Sequence, residues 1–203
     1  MSPEPSAELR DRPESWPVHA SEDIWTGPAP FSVRRDHISA PGDPDQFGRL
    51  VLVHPGASVV LAMDEDKRVL VLHQYRHPAG RRFVELPAGL VDAGEDPLVA
   101  AQRELREEAL LVARSWSHLV TTYPSPGLSS ERIEIYLARD LSPAPDRGNF
   151  EPTHEEADMT VSWVPMHSLV EGVLTGRLTD GPLALAVLTV AAGGENTLSR
   201  SPR

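Results

Sequence analysis

The stretch GLVDAGEDPLVAAQRELREEALL, residues 89–111, decides how the rest of the chain is read. Asp96 suits a helix N-cap, and Pro97 suits the first helical position, where its missing N–H has no partner to lose. Leu98, Ala101, Leu105 and Ala109 recur at helical spacing as an apolar stripe, so a helix over about 97–111 is predicted. Glu104 and Glu108 share one helical face, with Glu107 beside them. Like charges so placed destabilise an isolated helix by roughly 0.2–0.5 kcal/mol per pair, which Arg103 offsets by reaching Glu107 one turn on. Taken alone, Arg-Glu-Leu-Arg-Glu-Glu is most often a solvated helix face. The other reading is chemical: clustered carboxylates suit a hard divalent cation, Mg²⁺ above all, which keeps waters and completes its shell with substrate phosphate oxygens.

Composition narrows the choice from outside. A chain of 203 residues that is 40% apolar fits one ordinary domain with attachments. It has no cysteine, which excludes a disulfide framework and a thiolate metal site and fits a reducing cytoplasm. The net charge of −11 excludes the basic face that nucleic acid requires. Small anionic substrates are not excluded, because bound cations invert the local field. The first twenty residues have no apolar run, and the longest apolar stretch, 183–194, is far short of the roughly 20 residues that span a bilayer. A soluble cytoplasmic protein without a membrane partner is expected.

Outward from the helix, strands are predicted at 31–38 and 50–54, then a hairpin of 58–63 and 69–73 across Asp64-Glu-Asp-Lys-Arg68, then 82–86. Further strands follow at 116–123, 133–137 and 159–164. Two helices close the chain, one from about Met166 and one from Pro182 with Asp180 near its N-cap. Residues 1–18 and 195–203, polar and aperiodic, read as mobile tails. The order strands, helix, strands, helices suggests a mixed-sheet α/β or α+β domain.

The spacing around the helix resembles the Nudix box. Gly89, Glu95, Arg103, Glu104, Glu107 and Glu108 occupy its six fixed polar or glycine positions, and Leu105 and Leu111 its aliphatic ones. With residues each near 5–9% of average usage, a chance match is rarer than roughly one in ten thousand. One position departs: Leu110 stands where the family has glycine, which leaves the helix terminus open. The resemblance implies a Nudix α/β/α sandwich around a mixed sheet over 57–194, preceded by a small β domain over 19–56. It implies that Glu104, Glu107, Glu108 and the Ala88 carbonyl bind two or more Mg²⁺ ions, Mn²⁺ being a possible substitute. Gly89, Glu95 and Arg103 would then brace loop and helix.

Outside the box the chain resembles the ADP-ribose pyrophosphatase branch of that family. The residues are Gln74-Tyr-Arg-His77 and Glu85-Leu-Pro-Ala-Gly89 before the box, Pro126 within Tyr123-Pro-Ser-Pro-Gly-Leu-Ser-Ser-Glu131, and the acidic loop His154-Glu-Glu-Ala-Asp158. The resemblance implies hydrolysis of ADP-ribose to AMP and ribose 5-phosphate by an activated water. Glu156, with Glu155 its rival, would handle that water, and Arg49, Arg76, Glu85 and Pro126 would contact the substrate. It also implies a homodimer in which the N-terminal β domain exchanges between subunits. The alternatives are a Nudix hydrolase of other nucleoside diphosphate derivatives, such as sugar nucleotides or NADH, and a non-catalytic Nudix-fold binding module.

Overall fold

In the computed structural model, residues 9–148, 150–151 and 157–194 are described. Of the tails expected at 1–18 and 195–203, residues 1–8 and 195–203 lie outside them, as do the loop residues His154, Glu155 and Glu156. The chain forms two compact units that divide between Val53 and His54. The sequence boundary was expected at 56/57; residues 54–56 belong to the second unit because His54 N donates to Ser130 Oγ (3.0 Å) and Val91 N donates to the Gly56 carbonyl (3.2 Å).

The first unit is an antiparallel sheet of β1 (Val18–Trp25), β2 (Ser32–Ser39) and β3 (Gln46–Val53), with β2 in the middle. The strand β1 has no alternating apolar pattern and was not foreseen. It also shortens the expected tail: Ser39 N donates to the Pro17 carbonyl, and the Trp16 ring meets Phe47 edge-on at 6.5 Å. Polar pairs lie within and between these strands. Arg34 and Ser21 both hydrogen-bond to Asp36, and His19 bonds to Ser39.

The second unit contains two sheets. One has the order β7-β4-β9-β8, with β4 (Ala57–Ala62), β7 (Ala88–Leu90), β8 (Leu111–Thr122) and β9 (Ile133–Pro143). Strands β4 and β9 run parallel while the other pairs are antiparallel, so the sheet is mixed. The other sheet places β5 (Arg68–Arg76) between β10 (Thr160–Pro165) and β6 (Arg81–Glu85). Helix α1 (Pro97–Ala109) covers one side through Ala101 and Leu105, against Val60, Ala62, Leu70 and Leu72. Helices α2 (Met166–Leu174) and α3 (Gly181–Thr189) cover the other through Leu169, Leu183 and Val187, against Leu61, Val71 and Ile135. This is an α/β/α sandwich.

The expected hairpin of 58–63 and 69–73 is not one. The turn forms, with Asp64 N donating to the Arg68 carbonyl, but only Met63 and Val69 bridge beyond it. Strand β4 already has β7 and β9 as neighbours, and β5 has β10 and β6. A strand has only two edges, so the two diverge into separate sheets. The near-continuous apolar runs 59–63 and 69–72 agree with this, since both strands are buried on both faces.

Helix α1 begins as predicted: the Asp96 side chain accepts from Leu98 N (2.8 Å), and Pro97 opens the first turn. Its end shows what happens without the glycine. Leu110 itself takes the left-handed conformation, φ 53° and ψ 40°, and its N–H donates to the Arg106 carbonyl (3.1 Å). Its own carbonyl accepts from Ala144 N (2.8 Å). A leucine there costs about 1–2 kcal/mol over a glycine-compatible geometry, and these bonds hold it in place. The helix therefore stops where a glycine would have stopped it.

Candidate active site

The face of α1 that turns inward carries carboxylates as well as apolar groups. Glu104 and Glu108 are only 7% and 6% exposed, beside Ala101 and Leu105. The apolar stripe is narrower than expected, since Leu98 and Ala109 are only partly buried. What receives the carboxylates is β7, a three-residue strand paired with β4. Ala88 N donates to Glu108 Oε2 (3.0 Å). Gly89 lies so close to Glu104 that a Cβ built there would overlap its carboxylate, so no other residue fits without displacing it. Ser58, fully buried on β4, donates to the Pro97 carbonyl (2.7 Å) and ties the start of α1 to the same strand.

Arg103 links the helix to the segment before it. Its guanidinium donates to the Leu90 carbonyl (2.9 Å), to Glu95 (3.2 and 3.3 Å), to Glu104 (2.5 Å) and to Glu107 (3.3 Å). Glu95 in turn accepts from Asp92 N (3.0 Å). The Arg103 hydrogen bond, with that backbone bond, holds the Glu95 carboxyl below the usual range, and Glu95 above all holds Arg103 charged.

Across the cavity, Arg76 at the end of β5 grips Glu85 at the end of β6. Its Nε donates to both carboxylate oxygens (3.0 and 3.1 Å) and its Nη2 to Oε2 (2.7 Å). Such a forked, charge-assisted pair is geometrically specific. Glu85 is buried, while Arg76 remains half exposed.

The cavity between these groups has a volume of about 730 Å³. Seven carboxyl side chains and two guanidinium groups line it, with Phe83 and Phe150 as aromatic walls. Among the acids is Asp180, which the sequence marked only as a helix N-cap. It is one, accepting from Leu183 N (2.8 Å), but it also borders the cavity. Burial, reinforced by the Glu85 charge, pushes its carboxyl up to about 6 against the opposing Leu183 hydrogen bond and Arg76. His54, Glu131, Phe83 and Phe150 also border the cavity without having been singled out. They come from separate elements, and no local pattern joins them.

The other sequence candidates are placed differently. Pro126 sits in an exposed turn, where Leu128 N and Ser129 N donate to the Ser125 carbonyl, and it does not line the cavity. Arg49 belongs to the first unit, where its guanidinium lies over the Phe47 ring at 4.5 Å. Glu155 and Glu156 are outside the described residues.

The donor set fits a hard divalent cation. Carboxylate oxygens dominate it, and such a surplus of buried acid calls for compensating positive charge beyond the two arginines. Among the described residues no group of three or more acidic, histidine or cysteine side chains is placed closely enough to hold a metal ion by itself.

A family model described as the NUDIX domain matches residues 52–183. The chain is 43% identical over 174 residues to an ADP-ribose pyrophosphatase of Mycobacterium tuberculosis, covering 85% of this chain and 82% of that one. It is 31% identical over 139 residues to an ADP-ribose pyrophosphatase of Bacillus subtilis, covering 68% and 74%. A crystal structure of an ADP compounds hydrolase superposes with a TM-score of 0.68 at 19% identity, covering 93% of this chain and 98% of that one, a likeness of fold. With its box helix seated against β7 and the family model spanning most of its length, the chain belongs to the Nudix family.

Proposed function

We propose that this chain is a metal-dependent pyrophosphohydrolase that cleaves ADP-ribose to AMP and ribose 5-phosphate. The observation that carries the reading is the pair Glu104 and Glu108, buried on one face of α1 and seated against Gly89 and Ala88 at an acidic cavity. The relatives named ADP-ribose pyrophosphatase support the substrate, with identity that extends well beyond the box.

Glu104, Glu107, Glu108 and the Ala88 carbonyl would hold Mg²⁺, with Mn²⁺ as its substitute. When bound, such ions neutralise the diphosphate and lower the pKa of a coordinated water. The residues supply the rest. Arg103 keeps Glu104 and Glu107 in place and is itself fixed by Glu95 and the Leu90 carbonyl. Arg76, oriented by Glu85, offers its remaining N–H groups to a phosphate oxygen. Glu156, or Glu155 beside it, takes the proton of the attacking water. The water oxygen bonds to phosphorus as the bridging P–O bond breaks, and the leaving phosphate departs with the bridging oxygen.

The reading includes a homodimer, because the first unit buries no apolar side chain among its described residues. In it, Arg49 and Pro126 contribute to substrate binding, and residues 57–194 form the catalytic domain. Among the described residues no helix is long and apolar enough to cross a membrane. The absence of cysteine suits a reducing compartment, and the reading places the chain in the cytoplasm without a nucleic-acid partner.

The test is a panel of nucleoside diphosphate derivatives with saturating Mg²⁺, scored by released monophosphate. ADP-ribose is expected to show the highest kcat/KM. A tenfold advantage for a sugar nucleotide such as UDP-glucose would refute the substrate and leave the family intact.

A further inference from the structure

The cavity-lining carboxylate Glu131 stands between two residues that are each held in place. Before it, Ser130 Oγ accepts from His54 N (3.0 Å), and after it the Arg132 carbonyl accepts from Ala57 N (3.0 Å). Its own N–H donates to Ser129 Oγ (3.0 Å). Side chains alternate between the faces of a sheet. Ala57, Val59 and Ile133 therefore line the cavity from one face, while Glu134 and Tyr136 lie on the other.

On that second face Glu134 is only 5% exposed and is bonded from both ends of the loop that joins β8 to β9. His118 Nε2 and Thr121 Oγ1, near the end of β8, each bond to its Oε2 at 2.7 Å, and the Arg132 guanidinium pairs with its Oε1. Residues three apart in a regular strand point to opposite faces. A bulge between His118 and Val120 gives β8 one extra residue, Leu119, so that His118 and Thr121 reach the same oxygen. Leu119 itself is buried in the core on the α2 and α3 side. We propose that Glu134 is a positioning residue of the hydrolase site: it fastens the two ends of the loop 123–132 together, and through Arg132 it holds Glu131 at the cavity wall. The proposal rests on the reading of the cavity as a diphosphate hydrolase site.

The loop needs such a fastening. The bonds from Leu128 N and Ser129 N to the Ser125 carbonyl shape its tip and not its ends. With loose ends Glu131 would spread over several positions, and a misplacement of about 1 Å at a site can cost as much as 10²-fold. The bonds to Glu134 come from β8 and from Arg132, and none of them involves α1 or β7. The seating of Glu104 and Glu108 therefore does not depend on it, and its loss is felt in substrate binding.

The experiment measures kcat and KM for ADP-ribose at saturating Mg²⁺, with the thermal midpoint of each variant. Glu134→Met, apolar and of similar length, is expected to raise KM roughly tenfold and to leave kcat within about twofold. A merely structural loss would lower the thermal midpoint and the active fraction, hence kcat, with KM unchanged. Arg132→Met removes the same link at a half-exposed side chain and should raise KM as much, so it carries the test if Glu134→Met does not fold. Glu134→Gln is the conservative control. With its oxygen toward Arg132 and its amide N–H groups toward Thr121 and His118 it rebuilds the network, and KM should stay within about twofold of wild type. In a Glu131→Ala background, which itself raises KM, Glu134→Met should add nothing further. An unchanged KM in Glu134→Met or Arg132→Met, a glutamine variant as impaired as the methionine one, or an undiminished effect without Glu131 would overturn the proposal, while wild-type turnover leaves the hydrolase reading standing. Absence of wild-type turnover overturns both.

Discussion

In the sheet β1–β3 the only buried residues are Asp36 and Ser39, both polar, whereas from His54 onward Val60, Leu61, Ala62, Val69 and Val71 are wholly enclosed. The first unit instead exposes Val18, Ile24, Trp25, Phe31 and Leu50 to at least a third of their surface, and two of these rings, Trp25 and Phe31, stack at 5.4 Å. Three strands without an apolar core are marginal in water. Cross-strand hydrogen bonds such as Ser21 to Asp36 help fix register, but each contributes only about 1 kcal/mol net. The second unit is the reverse, with a sandwich enclosed enough to bury Glu104, Glu108 and Glu85 and still hold them. In the second unit the buried carboxylates are held against a packed apolar core, whereas in the first unit, among the described residues, Asp36 is held by Arg34 and Ser21 alone. The acidic cavity therefore lies in the unit with the core.

The comparison breaks most directly at Glu108. Glu108→Gln should remove turnover by about three orders of magnitude or more, because a neutral amide cannot replace a carboxylate toward a hard cation. The amide oxygen still accepts from Ala88 N, so the thermal midpoint should stay close to that of wild type. Near-normal hydrolysis at saturating Mg²⁺ would remove Glu108 from the site.

Deleting residues 1–53 tests the other side. The remaining unit has its own core and should unfold cooperatively, but as a monomer in sedimentation, with kcat/KM for ADP-ribose reduced by more than about tenfold through a raised KM, the expected mark of lost binding surface. A fully active monomer would mean that the first unit has no part in the site. Failure to fold would mean that the two units are not independent in stability.

The smallest effect sharpens the account of the second unit. Leu110→Gly should relieve the left-handed backbone strain at α1, offset in part by the greater freedom of glycine in the unfolded chain. A rise in thermal midpoint of about 1–3 °C is expected for a chain of this size, with kcat unchanged. A fall would show that the leucine side chain, though 38% exposed, contributes more packing than its backbone costs.

Much of the catalytic unit was legible because its signals are local. The start of α1 is specified by Asp96 and Pro97 within one turn, and the convergence of Glu104 and Glu108 by helical periodicity. Strand β7 was invisible for the same reason: Ala-Gly-Leu has no strand signature, and it is a strand only because β4 offers an edge and α1 a face to lie against. The pairing of 58–63 with 69–73 failed because adjacency in sequence cannot reveal that both strands already have two neighbours.

From sequence alone came the box, its carboxylates, the family resemblance and the α/β order, all carried by side-chain identity at fixed short spacing. Tertiary structure alone decided that Leu110 ends the helix without glycine, that Arg76 is forked onto Glu85, and that Asp180 borders the cavity. The physical reason is range. Caps, periodicity and spacing act over a few residues, whereas burial, pKa and the meeting of Arg76 with Glu85 depend on which distant segments the sandwich brings together, and that is set by packing the whole core at once.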